Sequence, residues 1–278
     1  MAAILTIVHL TLYEALRRKI LSAGLIGGAA FLLVFGVAVF FANAELARNG
    51  TTFLERQAIL MMLTLAGLYA SNFLAVLLAV LLPVDALSGE IDSGVMQTLA
   101  VKPIRRSDIV LGKWLGYLII ASAYLGLLFF GVLAVVGVVG GHVAVHPARG
   151  LGLMLLEVAL LVTVTIAGGT RLGTVANGVL ALGFYGLGFI GGWVEQIGAL
   201  AGIRSAKTIG IAVSLLSPAD ALWRMAMYHL QPEVVRQMFG ETAFAVASVP
   251  NARMVAWAAA FLLVTLAWAV RSFGRRTL

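Results

Sequence analysis

Six apolar runs limit what this chain can fold into. They fall at about residues 20–42, 59–83, 108–138, 150–169, 175–194 and 253–270. Each reaches the roughly 18 residues at which an apolar segment crosses a bilayer as a helix. Inside hydrocarbon every backbone amide must be satisfied internally, so only helices and closed barrels can span. The runs are continuous rather than alternating, which excludes a barrel. The expectation is an all-α membrane protein, six transmembrane helices in one domain over residues 1–278. Composition agrees: 62% of the chain is hydrophobic and only 11% charged, about half the charged share of a soluble domain.

The bases give the orientation. The side that carries the N-terminus, the 84–107 loop, the 170–174 turn and the C-terminus holds eleven of them, counting Lys113 near the start of the third run: Arg17, Arg18, Lys19, Lys102, Arg105, Arg106, Lys113, Arg171, Arg271, Arg275 and Arg276. The short links on the other side hold three: Arg48, Arg56 and Arg149. The eleven-base side reads as cytoplasmic, with both termini inside. The net charge of +7 is thus a matter of topology, and nucleic acid is not expected as a partner. Without cysteine there is no disulfide framework and no thiolate metal site. The N-terminus does not read as a cleaved signal peptide, because Glu14 and Arg17-Arg18-Lys19 precede a run too long for one. Residues 2–19 read as an amphipathic interfacial helix, with Ile4, Val8, Leu12 and Ala15 on one face and Glu14 spaced i,i+4 from Arg18. The alternative is a frayed start to the first span.

The 85–113 stretch is the one long polar interruption in the first half, with four acids and four bases. Asp92 can cap a short helix over about 93–101, with Glu90 near its positive end and Pro103 as its stop. Val95, Met96 and Leu99 form an apolar ridge beside Gln97 and Lys102. Ser107 and Asp108 would cap the third span. A short helix crossing between two spans, with apolar knobs its own core does not need, suits docking into a partner's groove. A bland amphipathic loop would satisfy the same pattern. No phosphate-binding loop is present, since Gly112-Lys113 is followed by Trp114. If ATP powers this protein, another chain binds it.

Apart from Asp108 at the very start of the third range, Glu157 is the only acid inside these six ranges, about two turns below the outer boundary of its span. An intramembrane carboxylate is costly and marks function, so Glu157 reads as a substrate-path or gate residue, or else as an interfacial group with a polar neighbour. Asn72 and Asn177 carry the same substrate-path reading, or else simply hold helices together. Glycines of the fifth span, including Gly188 and Gly192, and Gly24 and Gly28 in the first permit close helix approach, within the chain or between copies. His142 and His146 in an outer link read as solvated or packing residues, with no metal expected. In the outer segment 196–252, Ser217-Pro218-Ala219-Asp220 predicts a helix over about 218–230, N-capped by Ser217 and stopped by Pro232. A second short helix is expected over about 232–239. Pro218, Asp220 and Trp223 are the candidate outer gate.

The loop block also carries a family resemblance. Glu90, Gly94, Leu99, Pro103, Arg105, Arg106 and Leu111-Gly112-Lys113 follow one another as in the six-span permeases of the type-2 family of ABC exporters. Glu14-Ala15-Leu16-Arg17 resembles that family's interfacial helix, and Leu216-Ser217-Pro218-Ala219-Asp220 a motif before its last span. Within the family the chain is most similar to the copper-processing permeases of nitrous oxide reductase maturation. The resemblance implies a cell (inner) membrane permease, itself no enzyme and holding no cofactor. It implies a homodimer with two ABC ATPase subunits, which bind ATP and Mg. It assigns the docking surface to Glu90, Asp92, Gly94, Val95, Met96, Leu99, Lys102, Pro103, Arg105 and Arg106. Glu14, Arg17 and Arg18 fall in the interfacial helix. Two other readings stay open: a mechanotransmitter that relays motion to an extracytoplasmic protein at 196–252, and an ion-coupled carrier.

Overall fold

Every apolar run folds into one continuous helix, and each helix is longer than the run that announced it. The structure, a computed structural model, describes residues 2–92, 94, 105–142, 144–231 and 248–276. In chain order the helices are α1 (Ala2–Leu16), α2 (Lys19–Arg48), α3 (Phe53–Leu81), α4 (Ser88–Asp92), α5 (Arg106–Gly140), α6 (Pro147–Gly169), α7 (Thr174–Leu200), α8 (Arg204–Leu216), α9 (Ala219–Leu230) and α10 (Ala252–Gly274). Six of these are long and apolar enough to cross a membrane: α2, α3, α5, α6, α7 and α10. The fold is an all-α six-span membrane protein.

Local chemistry sets the helix ends. Thr52 and Glu55 form a reciprocal capping box at the start of α3. The Asn251 side chain accepts from the Met254 N–H at the start of α10. Pro147 opens α6, where a missing N–H costs nothing. Gly141 ends α5 in the left-handed region, at φ 69°. At 35 residues α5 is the longest helix. Its length of about 52 Å exceeds the roughly 30 Å of hydrocarbon, so one end projects, and α1 lies against that end.

α6 is the central helix, packed against α3, α5, α7, α9 and α10. α2 is peripheral and buries only Leu21, Gly28, Phe35 and Val39. A methyl group at Gly28 would stand 3.0 Å from the Tyr124 and Leu128 side chains of α5, so its smallness serves contact within the chain.

Three sequence expectations are corrected. The third span is not capped by Ser107 and Asp108: the N-cap is Arg105, and Ser107 donates to Asp108 instead. Ser217 does not cap α9. Its hydroxyl donates to the Phe184 carbonyl at 2.7 Å, and Pro218 holds the N-cap position. Glu157 is the eleventh of 23 residues in α6, about 15 Å from the helix start, which places it at mid-span rather than near the boundary. The expected helices at 93–101 and 232–239 lie outside the described residues.

Candidate functional site: a clamped loop, a buried carboxylate and an outer lock

At the base-rich end, two ion pairs hold the approach to the polar loop and the helix that follows it. Arg18 lies between α1 and α2 in extended backbone. Its guanidinium reaches Glu14 at 2.5 Å, the Asp85 carboxylate, and the Leu82 carbonyl at 3.3 Å. It thereby ties α1 to the end of α3. Lys113 of α5 is 4% exposed and pairs with Glu90 of α4. A lysine this buried needs its partner. Tyr117, one turn along α5, is fully buried within the field of these charges.

α1 rests on α5 where α5 lacks side chains. A methyl group at Gly112 would stand 2.6 Å from the Ile7 side chain and 3.2 Å from the Ile4 carbonyl. One at Gly116 would stand 2.8 Å from Thr11. The Leu111-Gly112-Lys113 sequence therefore has two uses: Gly112 seats α1 and Lys113 holds α4. Arg17 stacks on Tyr13 at 4.3 Å and stays exposed.

Arg106, Arg171 and Arg276 gather at the same end. Arg106 donates to the Arg276 carbonyl at 2.5 Å, Arg276 to the Thr170 carbonyl at 2.6 Å, and Arg171 to the Ser272 hydroxyl at 2.8 Å. These bonds join the start of α5, the α6–α7 turn and the end of α10. Asn177 belongs to this end too. Its amide donates to the Val84 and Thr165 carbonyls at 2.8 and 2.9 Å. Among the expected docking residues, Gly94 is a turn at φ 76° and Arg105 is exposed. Val95, Met96, Leu99, Lys102 and Pro103 lie outside the described residues, and the α4 backbone extends through Asp92.

At mid-span Glu157 is 0% exposed, and neither carboxylate oxygen has a hydrogen-bond partner among the described residues. Asn72 of α3 is its side-chain neighbour, with Tyr185 of α7 and Asp220 of α9 in electrostatic reach. Asn72 Oδ1 is also buried without a partner. These polar groups lie between α3, α6, α7 and α9.

At the opposite end an arginine joins two acids. Arg224 of α9 donates to Asp220 at 2.8 Å, to Glu195 of α7 at 2.8 Å, and to the Ser214 hydroxyl of α8 at 3.2 Å. Ser248 donates to the second Glu195 oxygen at 2.5 Å. Burial pushes the Asp220 carboxyl up to about 6, against the pull of Arg224 and with the Glu195 charge adding to the rise. Trp223 packs edge-on to Tyr69 of α3, ring centres 5.6 Å apart. Glycines make this closeness possible. A methyl group at Gly192 would overlap the Asp220 carboxylate, and one at Gly210 would stand 2.4 Å from Glu195 Cβ. A cavity of about 270 Å³ opens beside Arg224, Glu195, Lys207 and Asn251.

Sequence reasoning found Asp220 and Trp223 but missed Arg224 and Glu195. The i,i+4 spacing of Asp220 and Arg224 was a usable signal. Glu195 lies one residue past the expected end of its span.

No curated protein matches the chain. A family model described as ABC-2 family transporter protein matches residues 18–278. The chain therefore belongs to the ABC-2 transporter family: it is a multi-pass membrane permease subunit of an ABC transporter, of a kind that generally pairs with an ABC ATPase.

Proposed function

We propose that this permease is one half of a homodimeric exporter, each copy docking a separate ABC ATPase through its cytoplasmic 85–107 loop. The observation that carries this reading is the double clamp. Arg18–Asp85 and Lys113–Glu90 tie the polar loop to α1, α3 and α5 at once. A push on that loop would then reach three helices rather than bend a slack segment. ATP and Mg belong to the partner ATPase, whose closure supplies the push. Both termini are cytoplasmic in this reading, and the membrane is the cell (inner) membrane.

The cargo path runs between α3 and α6 past Asn72 and Glu157. Pro218, Asp220 and Trp223 form the outer gate, and the Glu195–Arg224–Asp220 set is its lock. Opening outward separates α9 from the α7–α8 hairpin and wets these charges. Family resemblance to the copper-processing branch puts Cu(I) among the cargoes to test by ATPase stimulation in proteoliposomes.

The chain has no cysteine, so one placed at Leu99 is a unique probe. Leu99→Cys should cross-link to the co-expressed ATPase and stay unlabelled by an impermeant maleimide added outside intact cells. Outside labelling, or no cross-link while the ATPase still co-purifies, rejects the docking assignment. A mechanotransmitter would keep the cross-link but move no cargo in proteoliposomes, and an ion-coupled carrier would need no ATPase.

A further inference from the structure

We infer that the membrane-facing trough between α6, α9 and α10 binds one anionic phospholipid from the leaflet remote from the base-rich end. The trough holds about 620 Å³, within the roughly 300–1,000 Å³ of small-molecule sites. Its shape is built by the sequence. α9 sits close on α6, where a methyl group at Gly150 would stand 2.7 Å from Leu230. Two residues on, Gly152 faces open space. Ala252, Ala256 and Ala259 keep the facing side of α10 small, whereas the exposed Trp257 and Trp268 stand on its other faces.

Polarity along the trough matches a phospholipid. α6 and α10 both run inward from the outer end. Arg149 is the third residue of α6 and Leu156 lies seven further on, about 10 Å deeper. Ala252 and Ala259 give α10 the same reach. The mouth therefore carries Arg149 and His229, and the interior is apolar and free of acids. Arg149 is exposed and forms no ion pair among the described residues. A base at the interface attracts anionic headgroups, and the wall below it takes an acyl chain. A soluble anion would leave that wall in contact with water, and a neutral lipid would leave Arg149 without a counter-charge.

Native mass spectrometry of the delipidated full-length protein in detergent tests this. Phosphatidylglycerol, phosphatidylcholine, diacylglycerol and glycerol phosphate are titrated separately. One phosphatidylglycerol per chain should bind saturably, ahead of the other three. Arg149→Gln should weaken it roughly fivefold, while Arg204→Gln, an exposed outer base outside the trough, should not. Gly152→Phe should remove the bound lipid without lowering the melting temperature, because its new side chain enters open space. Unchanged phosphatidylglycerol binding in Arg149→Gln and Gly152→Phe overturns the assignment. So does equal binding of diacylglycerol or of glycerol phosphate, or a Gly152→Cys cross-link to a second copy or to residues 232–247.

Discussion

Arg224 is the residue on which the outer end depends. It is 3% exposed and carries the only positive charge within hydrogen-bond distance of Asp220 and Glu195 among the described residues. Removing one partner from a buried pair costs about 3–5 kcal/mol, because the charge left behind is not compensated. Arg224→Ala leaves two such acids and should lower the melting temperature sharply; a shift under a degree would contradict the lock. Asp220 adds a pH signature. Its folded carboxyl holds its proton up to about 6, against an ordinary 3.8. A raised acid contributes stability that is full below its ordinary value and is lost as pH rises through the folded one. Wild type should therefore lose melting temperature relative to Asp220→Asn between about pH 4 and pH 7. A difference that stays flat across that range means the carboxyl is not held up by burial.

Among the elements, the glycine contacts decide which helices can touch. Gly112 meets the side chain of Ile7 and the backbone of α1, and Gly210 meets the backbone of Glu195. Neither neighbour can swing aside as a flexible side chain would. Gly112→Ala and Gly210→Ala should each cost about 1–3 kcal/mol through forced backbone shifts. They should also differ in effect: the first loosens α1 and raises proteolysis near Arg17, and the second opens the α7–α8 hairpin and raises it near Lys207. Equal protease patterns would contradict this division. The same contacts explain what sequence could and could not reveal. The six spans were legible because length and hydropathy are local properties. α9 was legible from Pro218 and Asp220. α8 was not, because Arg204–Leu216 opens on polar residues and its place depends on glycines of α7. Glu195 and Arg224 lie 29 positions apart, and no local pattern pairs them. Ser217 looked like a cap because serine before proline and acid usually is one, yet a carbonyl of α7 took its hydroxyl.

Among the described residues, ion pairs and hydrogen bonds concentrate at the two ends, and the buried Glu157 carboxylate sits at mid-span beside Asn72. The base-rich end ties α1, α3, α4 and α5 together, and joins the α6–α7 turn to α10. The other end ties α7, α8 and α9. Rigid ends joined by long helices can pass a displacement from one side of the bilayer to the other, which is the property a motor-driven permease requires. The Glu90–Lys113 pair is where that displacement would enter, and charge reversal tests it without changing composition. Cargo-stimulated ATPase activity of the reconstituted complex should fall at least about tenfold in Glu90→Lys and in Lys113→Glu, as expected for an unpaired buried charge. The double variant Glu90→Lys/Lys113→Glu should recover most of it. Single variants that keep wild-type stimulation, or a double variant no better than either single, would contradict the clamp as the route of coupling.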